Sequence, residues 1–264
     1  MKPIQVTLFF LLIWFTGFSQ KPPKLVEQFE FVGQSIEADQ VGNLYIINKE
    51  EIIQTNQKGE ELNRYSNKQL GDISFLDISS SLKPLVFYQN LSQIVYLDNR
   101  LYPRTEKISL EQMGYPQAKL VCSSYMNGLW IFDQVELSIT RLDRNGTLTA
   151  KVINLNQVLG VELNPNYMYE KYNKLYLNDP KLGIFVFDVY GNFSKKIPLA
   201  GLPKFKIDNN LIYFPSGTDL VLYDQVGFTE TRLKLPVGNL NDLYLSGNNL
   251  WLLTSSGLYH YIYQ

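Results

Sequence analysis

The sequence predicts an all-β protein, a six-bladed β-propeller whose ring is closed by an N-terminal strand paired with the last blade. Three observations predict it. A leucine-anchored strand unit recurs about every forty residues, an Asp or Asn turn follows it in nearly constant phase, and the two chain ends each carry part of one blade.

The clearest unit is Asp39-Gln40-Val41-Gly42-Asn43-Leu44-Tyr45-Ile46-Ile47, followed by Ile52 to Gly59, which reads as turn, strand, turn, strand, turn. Equivalents of Leu44 stand at Leu85, Leu129, Leu175, Leu211 and Leu250, with spacings of 41, 44, 46, 36 and 39 residues. Asn or Gly precedes most of them, as in Asn127-Gly128-Leu129-Trp130 and Asn248-Asn249-Leu250-Trp251. Such residues accept the backbone of a tight hairpin, and the β-branched and aromatic residues that follow suit a strand.

The second anchor is independent of the first. Asn56, Asp98, Asp143, Asp188 and Asp224 lie 12, 13, 14, 13 and 13 residues after their leucines, each at the end of an apolar run such as Phe185-Val186-Phe187-Asp188. Units of about forty residues holding four short strands are propeller blades, which repeat radially and leave only short edges. The ends of the chain set the count at six. The last unit stops in its third strand, Gly257 to Tyr263, while Lys24 to Phe31 precedes the first unit where an outer fourth strand would lie. Pairing these two segments completes the sixth blade and covers an open edge. No long amphipathic helical pattern is present, so helix content is expected near zero.

The Gly-Asn-Leu-Tyr type of strand and the Asp/Asn-x-x-Gly type of turn resemble those of the NHL and YWTD-like six-bladed propellers. The resemblance covers Lys24 to Gln264, implies the fold, and carries no functional residues with it. The Trp-Asp, Gly-His and Gly-Gly dipeptides of WD40 and kelch repeats are absent.

Residues 1–19 read as a secretory signal and residues 20–264 as one domain. Lys2 precedes an apolar run from Val6 to Phe15, and Gly17 and Ser19 supply the small residues of a cleavage site. The run is about half the roughly twenty residues a spanning helix needs, so no membrane span is expected after cleavage. Gln20 rather than a Cys directly follows the expected cut, which argues against lipid attachment. The expected compartment is the periplasm, at the outer membrane through a partner.

A formal net charge of −1 and the lack of a Lys/Arg cluster exclude a nucleic-acid surface. With Cys122 the single cysteine and His260 the single histidine, an internal disulfide and a multi-His or Cys/His metal site are excluded by counting. Leu120 and Val121 beside Cys122 favour a buried thiol. His260 sits inside the last blade's third strand between Tyr259 and Tyr261, a scaffold position. No nucleophile elbow, phosphate loop or His-Glu-x-x-His motif is present, so neither catalytic residues nor a cofactor are expected.

The innermost strands that would line a central channel are Gln34 to Ala38, Ile73 to Ile78, Lys119 to Ser123, Tyr167 to Glu170, Lys204 to Ile207 and Asp242 to Leu245. Glu37, Asp39, Asp77, Asp208 and Asn209 are the acidic and amide groups at or just past them. They do not recur at one height, and Asp39 and Asp77 read as turn residues bonding nearby amides rather than as calcium ligands. Exposed aromatics are the better lead to function. The longest spacing, 46 residues, contains the segment Leu163 to Tyr172. Its Tyr167, Met168, Tyr169 and Tyr172, with Tyr115 and Tyr125 elsewhere, are residue types that dominate protein interfaces and are the expected partner-binding set.

The leading expectation is therefore a non-enzymatic interaction module with a protein partner in the envelope. In size, signal and fold the chain is similar to accessory subunits of outer-membrane secretion or assembly complexes, including the propeller plug of the type 9 secretion channel. The alternatives are a lactonase or glutaminyl-cyclase type of propeller enzyme acting at the channel, and a sugar- or peptide-binding protein.

Overall fold

In the computed structural model residues 22–104 and 106–263 are described, and the expected signal peptide lies outside them. Strand β1 (Lys24–Phe29) is followed by blade 1, which contains β2 (Ser35–Ala38), β3 (Leu44–Asn48), β4 (Glu51–Thr55) and β5 (Glu61–Ser66). Blade 2 is β6 (Phe75–Asp77), β7 (Leu85–Tyr88), β8 (Gln93–Tyr96) and β9 (Ile108–Ser109). Blade 3 is β10 (Ala118–Ser124), β11 (Gly128–Asp133), β12 (Ser138–Leu142) and β13 (Leu148–Val152). A single helical turn, α1 (Leu155–Leu159), leads to blade 4, with β14 (Tyr167–Lys171), β15 (Lys174–Asp179), β16 (Gly183–Asp188) and β17 (Phe193–Ile197). Blade 5 is β18 (Lys206–Asp208), β19 (Leu211–Ser216), β20 (Asp219–Asp224) and β21 (Thr229–Lys234), and blade 6 is β22 (Leu240–Ser246), β23 (Asn249–Thr254) and β24 (Gly257–Ile262). Each sheet has four antiparallel strands, here lettered A (innermost) to D (outermost), and in the sixth sheet the order is β1-β24-β23-β22.

All six anchor leucines fall at the start of a B strand, and the reason is burial on both faces. Alternate residues of a strand point to opposite sides, and in a propeller each side meets a neighbouring blade. On β3, Tyr45 and Ile47 pack toward blade 2 while Leu44 and Ile46 pack toward blade 6. On β11, Trp130 and Phe132 face blade 4, and Leu129 and Ile131 face blade 2. Six separate apolar clusters result, one for each adjacent pair of blades, with blade 6 meeting blade 1 through Trp251, Leu253 and Leu258 against Ile36, Leu44 and Ile46. The B strands are therefore continuous apolar runs. The outer D strands, such as β21 (TETRLK), keep one side in water.

The second anchor is a turn device between the C and D strands. Asp143 Oδ1 accepts the backbone N–H groups of Asn145 (2.8 Å) and Thr147 (2.9 Å), and Asn56, Asp98 and Asp188 accept the equivalent pairs in their blades. A side chain that supplies two turn N–H groups with an acceptor stabilises the reversal directly. In blade 2 Leu101, at φ 62°, occupies the position that Gly146 fills in blade 3, so a branched residue there carries the left-handed strain.

The seam of the ring joins residues more than 200 apart in sequence. In β1, Lys24 pairs with Ile262, Leu25 with Tyr261 and Phe29 with Leu258. The Phe29 ring stacks on Trp251 at 6.1 Å. Gly257 is required at this seam, because a Cβ there would stand 2.7 Å from the Phe29 carbonyl oxygen.

Tyr167–Lys171 is β14, the A strand of blade 4, where the sequence predicts an innermost strand over Tyr167 to Glu170. The extra length of the 46-residue spacing lies upstream, in α1 and the stretch that follows it to Asn166. Met168 is 2% exposed and belongs to the core between blades 3 and 4, so it offers no contact surface.

Candidate functional site

The six A strands, β2, β6, β10, β14, β18 and β22, line the axis, and their inward side chains build a charged and tyrosine-rich channel. A cavity of about 80 Å³ lies within it, walled by Glu37, Phe75, Tyr167, Tyr169, Lys206 and Tyr244 among others. At its centre the Lys206 ammonium is 3.0 Å from Glu37 Oε1 and 3.6 Å from Asp242 Oδ2, and it also donates to the Ile36 carbonyl. Lys204 meets the same Asp242 oxygen at 2.5 Å, and Asp242 Oδ2 accepts the Ile36 N–H at 2.9 Å. These four side chains come from blades 1, 5 and 6 and neutralise one another pairwise.

Burial sets the electrostatics. Burial raises the Glu37 carboxyl above its ordinary value although Lys206 and Lys204 oppose it. Burial acts on Asp242 in the same direction, but the two lysines and the Ile36 N–H outweigh it and hold the carboxyl below the usual value. Burial together with nearby carboxylates pushes Tyr167 and Tyr169 well up, and Tyr244 to about 12, so these hydroxyls stay protonated. The Tyr167 ring stacks on Tyr169 at 6.4 Å and meets Phe75 and Phe205 edge-on at 5.7 and 5.3 Å.

Asp39 and Asp77 act as turn acceptors, as the sequence predicts. Asp39 Oδ1 takes the Val41 and Asn43 N–H groups, and its Oδ2 takes the Asn43 amide and the Tyr45 hydroxyl. Asp77 takes Ser79 N–H at 2.8 Å and, across the blade boundary, Ser123 N–H at 2.8 Å. Among the described residues no three His, Cys, Asp or Glu side chains converge as a metal cradle, and no helix is long and apolar enough to cross a membrane. Cys122 is fully buried with its thiol pushed well up by burial. His260 stacks on Trp251 at 3.9 Å and shares a 2.8 Å hydrogen bond with Asn249 Oδ1.

The rim is asymmetric. One face carries the A–B and C–D turns, the other the B–C turns and the D–A connections. Among the described residues nineteen large apolar side chains are exposed, and nine of them, Val41, Leu82, Tyr102, Tyr125, Met126, Tyr172, Tyr190, Val226 and Phe228, stand on the A–B/C–D face. The B–C/D–A face has five, none aromatic: Val32, Leu91, Val135, Ile153 and Val158. A cavity of about 390 Å³ opens on the apolar face between Tyr125, Met126 and Tyr172, and one of about 290 Å³ lies on the other side of Tyr172.

The structure therefore divides the expected partner-binding set. Tyr125 and Tyr172 are 53% exposed, together on the A–B/C–D face. Tyr115 is half-buried against the core between blades 2 and 3. Tyr167 and Tyr169 face the channel, and Met168 faces the core. Sequence reasoning named Glu37 but not Lys204, Lys206 or Asp242. The signal available was a pair of lysines alternating around Phe205 in a strand already assigned to the axis.

No family model matches the chain, and no curated protein matches it in sequence. Among solved structures it is similar to the Pan2 WD40 domain of Neurospora crassa, at 8% identity and a TM-score of 0.63, covering 88% of this chain and 89% of that one. It is similar to a gluconolactonase of Xanthomonas campestris, at 12% identity and a TM-score of 0.61, covering 93% and 96%. It is also similar to BamB of Moraxella catarrhalis, at 10% identity and a TM-score of 0.54, covering 92% and 100%. Identities this low establish the propeller fold and nothing finer.

Proposed function

We propose that this chain is a non-enzymatic interaction module of the cell envelope, exported by its N-terminal segment, that presents its A–B/C–D face to a protein partner such as a subunit of an outer-membrane secretion or assembly complex. The observation that carries the reading is the concentration of exposed aromatic and aliphatic side chains on that face. The two clefts beside Tyr172 bring Tyr125, Met126, Tyr172 and Val226 onto neighbouring walls of that face, and clustered exposed apolar side chains are a mark of interaction surfaces. The channel supports it from the other side, because Lys204 and Lys206 are held by Glu37 and Asp242, and Asp39 and Asp77 by turn N–H groups.

Replacing Tyr125, Tyr172 or Phe228 singly with Ser is expected to leave the unfolding midpoint within about 0.5 kcal/mol of the parent. Recovery of the partner from envelope fractions should fall sharply, since one aromatic hot spot contributes about 2 kcal/mol, near thirty-fold in affinity. Met168→Ala serves as the packing reference and should lose about 2–5 kcal/mol of stability. If the surface variants destabilise like Met168→Ala, or all recover the partner fully, the face is scaffold and the proposal fails.

The enzymatic alternative makes its own demand. A channel calcium ion that binds only the folded state would raise the melting temperature by mass action. Because Asp39 and Asp77 already serve turn N–H groups, the melting curve is expected to coincide in chelator and in millimolar calcium. A rise of several degrees would put the lactonase type of reading ahead.

A further inference from the structure

The two cavities that flank Tyr172 share a chemical character. The cleft between blades 4 and 5, about 290 Å³, is lined by Lys174, Lys195, Tyr176 and the amides of Asn209, Asn210 and Gln225, with no carboxylate in its wall. The larger cleft on the other side carries Lys83 and Lys171, and its one acidic side chain, Glu170, is buried with both oxygens bonded into blade 3. Among the described residues none of these four lysines forms a salt bridge.

The carboxylates nearest the blade 4–5 cleft are held by their own turns. Asp188 bonds the Tyr190 and Asn192 N–H groups and the Asn192 amide, Asp224 bonds the Val226 N–H, and Asp208 accepts from the Asn209 amide. Burial and the neighbouring Lys174 ammonium both disfavour a charged Lys195, and an incoming anion would relieve that repulsion. A chain with a formal net charge of −1 thus places four lysines that form no salt bridge in two clefts on one face, two of them, Lys83 and Lys171, over the rings of Tyr96 and Tyr172.

We infer that the partner presents an extended acidic segment that crosses Tyr172 and places Asp or Glu carboxylates in the two lysine clefts. The inference rests on the docking face proposed above and names its partner chemistry. Lys174 and Lys195 meet one carboxylate, Lys83 and Lys171 another, and the Asn209, Asn210 and Gln225 amides are suited to backbone groups of a peptide between them. Charge complementarity of this kind sets specificity and the rate of encounter.

The test uses the full mature chain and a labelled glutamate-rich peptide, with binding read by fluorescence anisotropy. Wild-type protein is expected to bind it, with affinity falling steeply between about 0.05 and 0.5 M salt. Lys174→Glu with Lys195→Glu should weaken binding by about tenfold or more, and the Lys174→Gln with Lys195→Gln pair should follow in the same direction with an unchanged melting curve. Lys196→Glu, on the opposite side of β17 against Phe185, shifts net charge by the same two units as the glutamine pair and should bind as wild type. Equal binding by wild type and the cleft variants overturns the inference, and so does competition by inorganic phosphate at the affinity of the peptide. If the cleft variants keep the natural partner while Tyr172→Ser loses it, the docking face stands and the acidic segment falls. If both keep it, the docking face falls as well.

Discussion

Removing residues up to Phe29 is expected to destroy the cooperative fold rather than trim an end. β1 is largely solvent-facing along its length, which would suggest a dispensable strand. Its loss nonetheless strips the ladder from the outer edge of β24 and withdraws Phe29 from Trp251. With ladder hydrogen bonds contributing about 1 kcal/mol each and a half-buried Phe about 1 kcal/mol, the total is roughly 5 kcal/mol. That is comparable with the whole stability of a typical domain, about 5–15 kcal/mol. The freed β24 edge would also be open to pairing with another chain. Urea unfolding and light scattering on the truncated chain check the result; a monomer that unfolds at the parental midpoint would show that the seam contributes nothing.

The second large effect is expected at Glu170. Its carboxylate accepts from the Trp130 indole at 2.6 Å, the Ser124 hydroxyl at 2.6 Å and the Tyr125 N–H at 2.8 Å, all across the boundary between blades 3 and 4. Ser124 in turn accepts from Arg141 Nε at 2.7 Å. Alanine at 170 would leave buried donors without an acceptor, and hydrogen bonds to a charged group contribute about 1.5–3 kcal/mol each, so a loss of about 3–5 kcal/mol is expected. Glutamine keeps one acceptor oxygen and should lose about half as much. Because Tyr125 and Met126 sit on the turn this carboxylate anchors, Glu170→Gln is also expected to weaken partner recovery more than its stability change implies. Chemical denaturation followed by tryptophan fluorescence, with partner recovery in parallel, measures both. Parental stability in Glu170→Ala would contradict the account.

What was legible in the sequence was what repeats. The anchor leucines read correctly because every B strand meets the same environment, apolar on both sides, and the Asp and Asn turns read correctly because their chemistry is complete within five residues. The six A strands were placed to within about two residues at most of their ends for the same reason. What does not repeat was not legible. Glu37, Lys204, Lys206 and Asp242 belong to three blades, and the Lys206 contact to the Ile36 carbonyl spans 170 residues, so no local pattern announces it. The aromatic segment misled for a related reason: a spacing shows that residues have been added between two anchors but not where. Tyr167, Met168 and Tyr169 lie on one short strand, yet the pleat sends the tyrosines toward the axis and the methionine between blades. Of the four, only Tyr172, past the strand end at φ 52°, is exposed.

The seam has a consequence for biosynthesis. A chain made from its N-terminus has β2, β3 and β4 in hand long before β22, β23 and β24 exist. Until the last residues emerge, Ile36, Leu44 and Ile46 have no opposite wall, and β1 has no strand to pair with. An emerging polypeptide therefore carries one sticky blade side throughout synthesis, and the ring locks only on completion. Such a chain cannot close its ring for as long as its C-terminal segment is withheld.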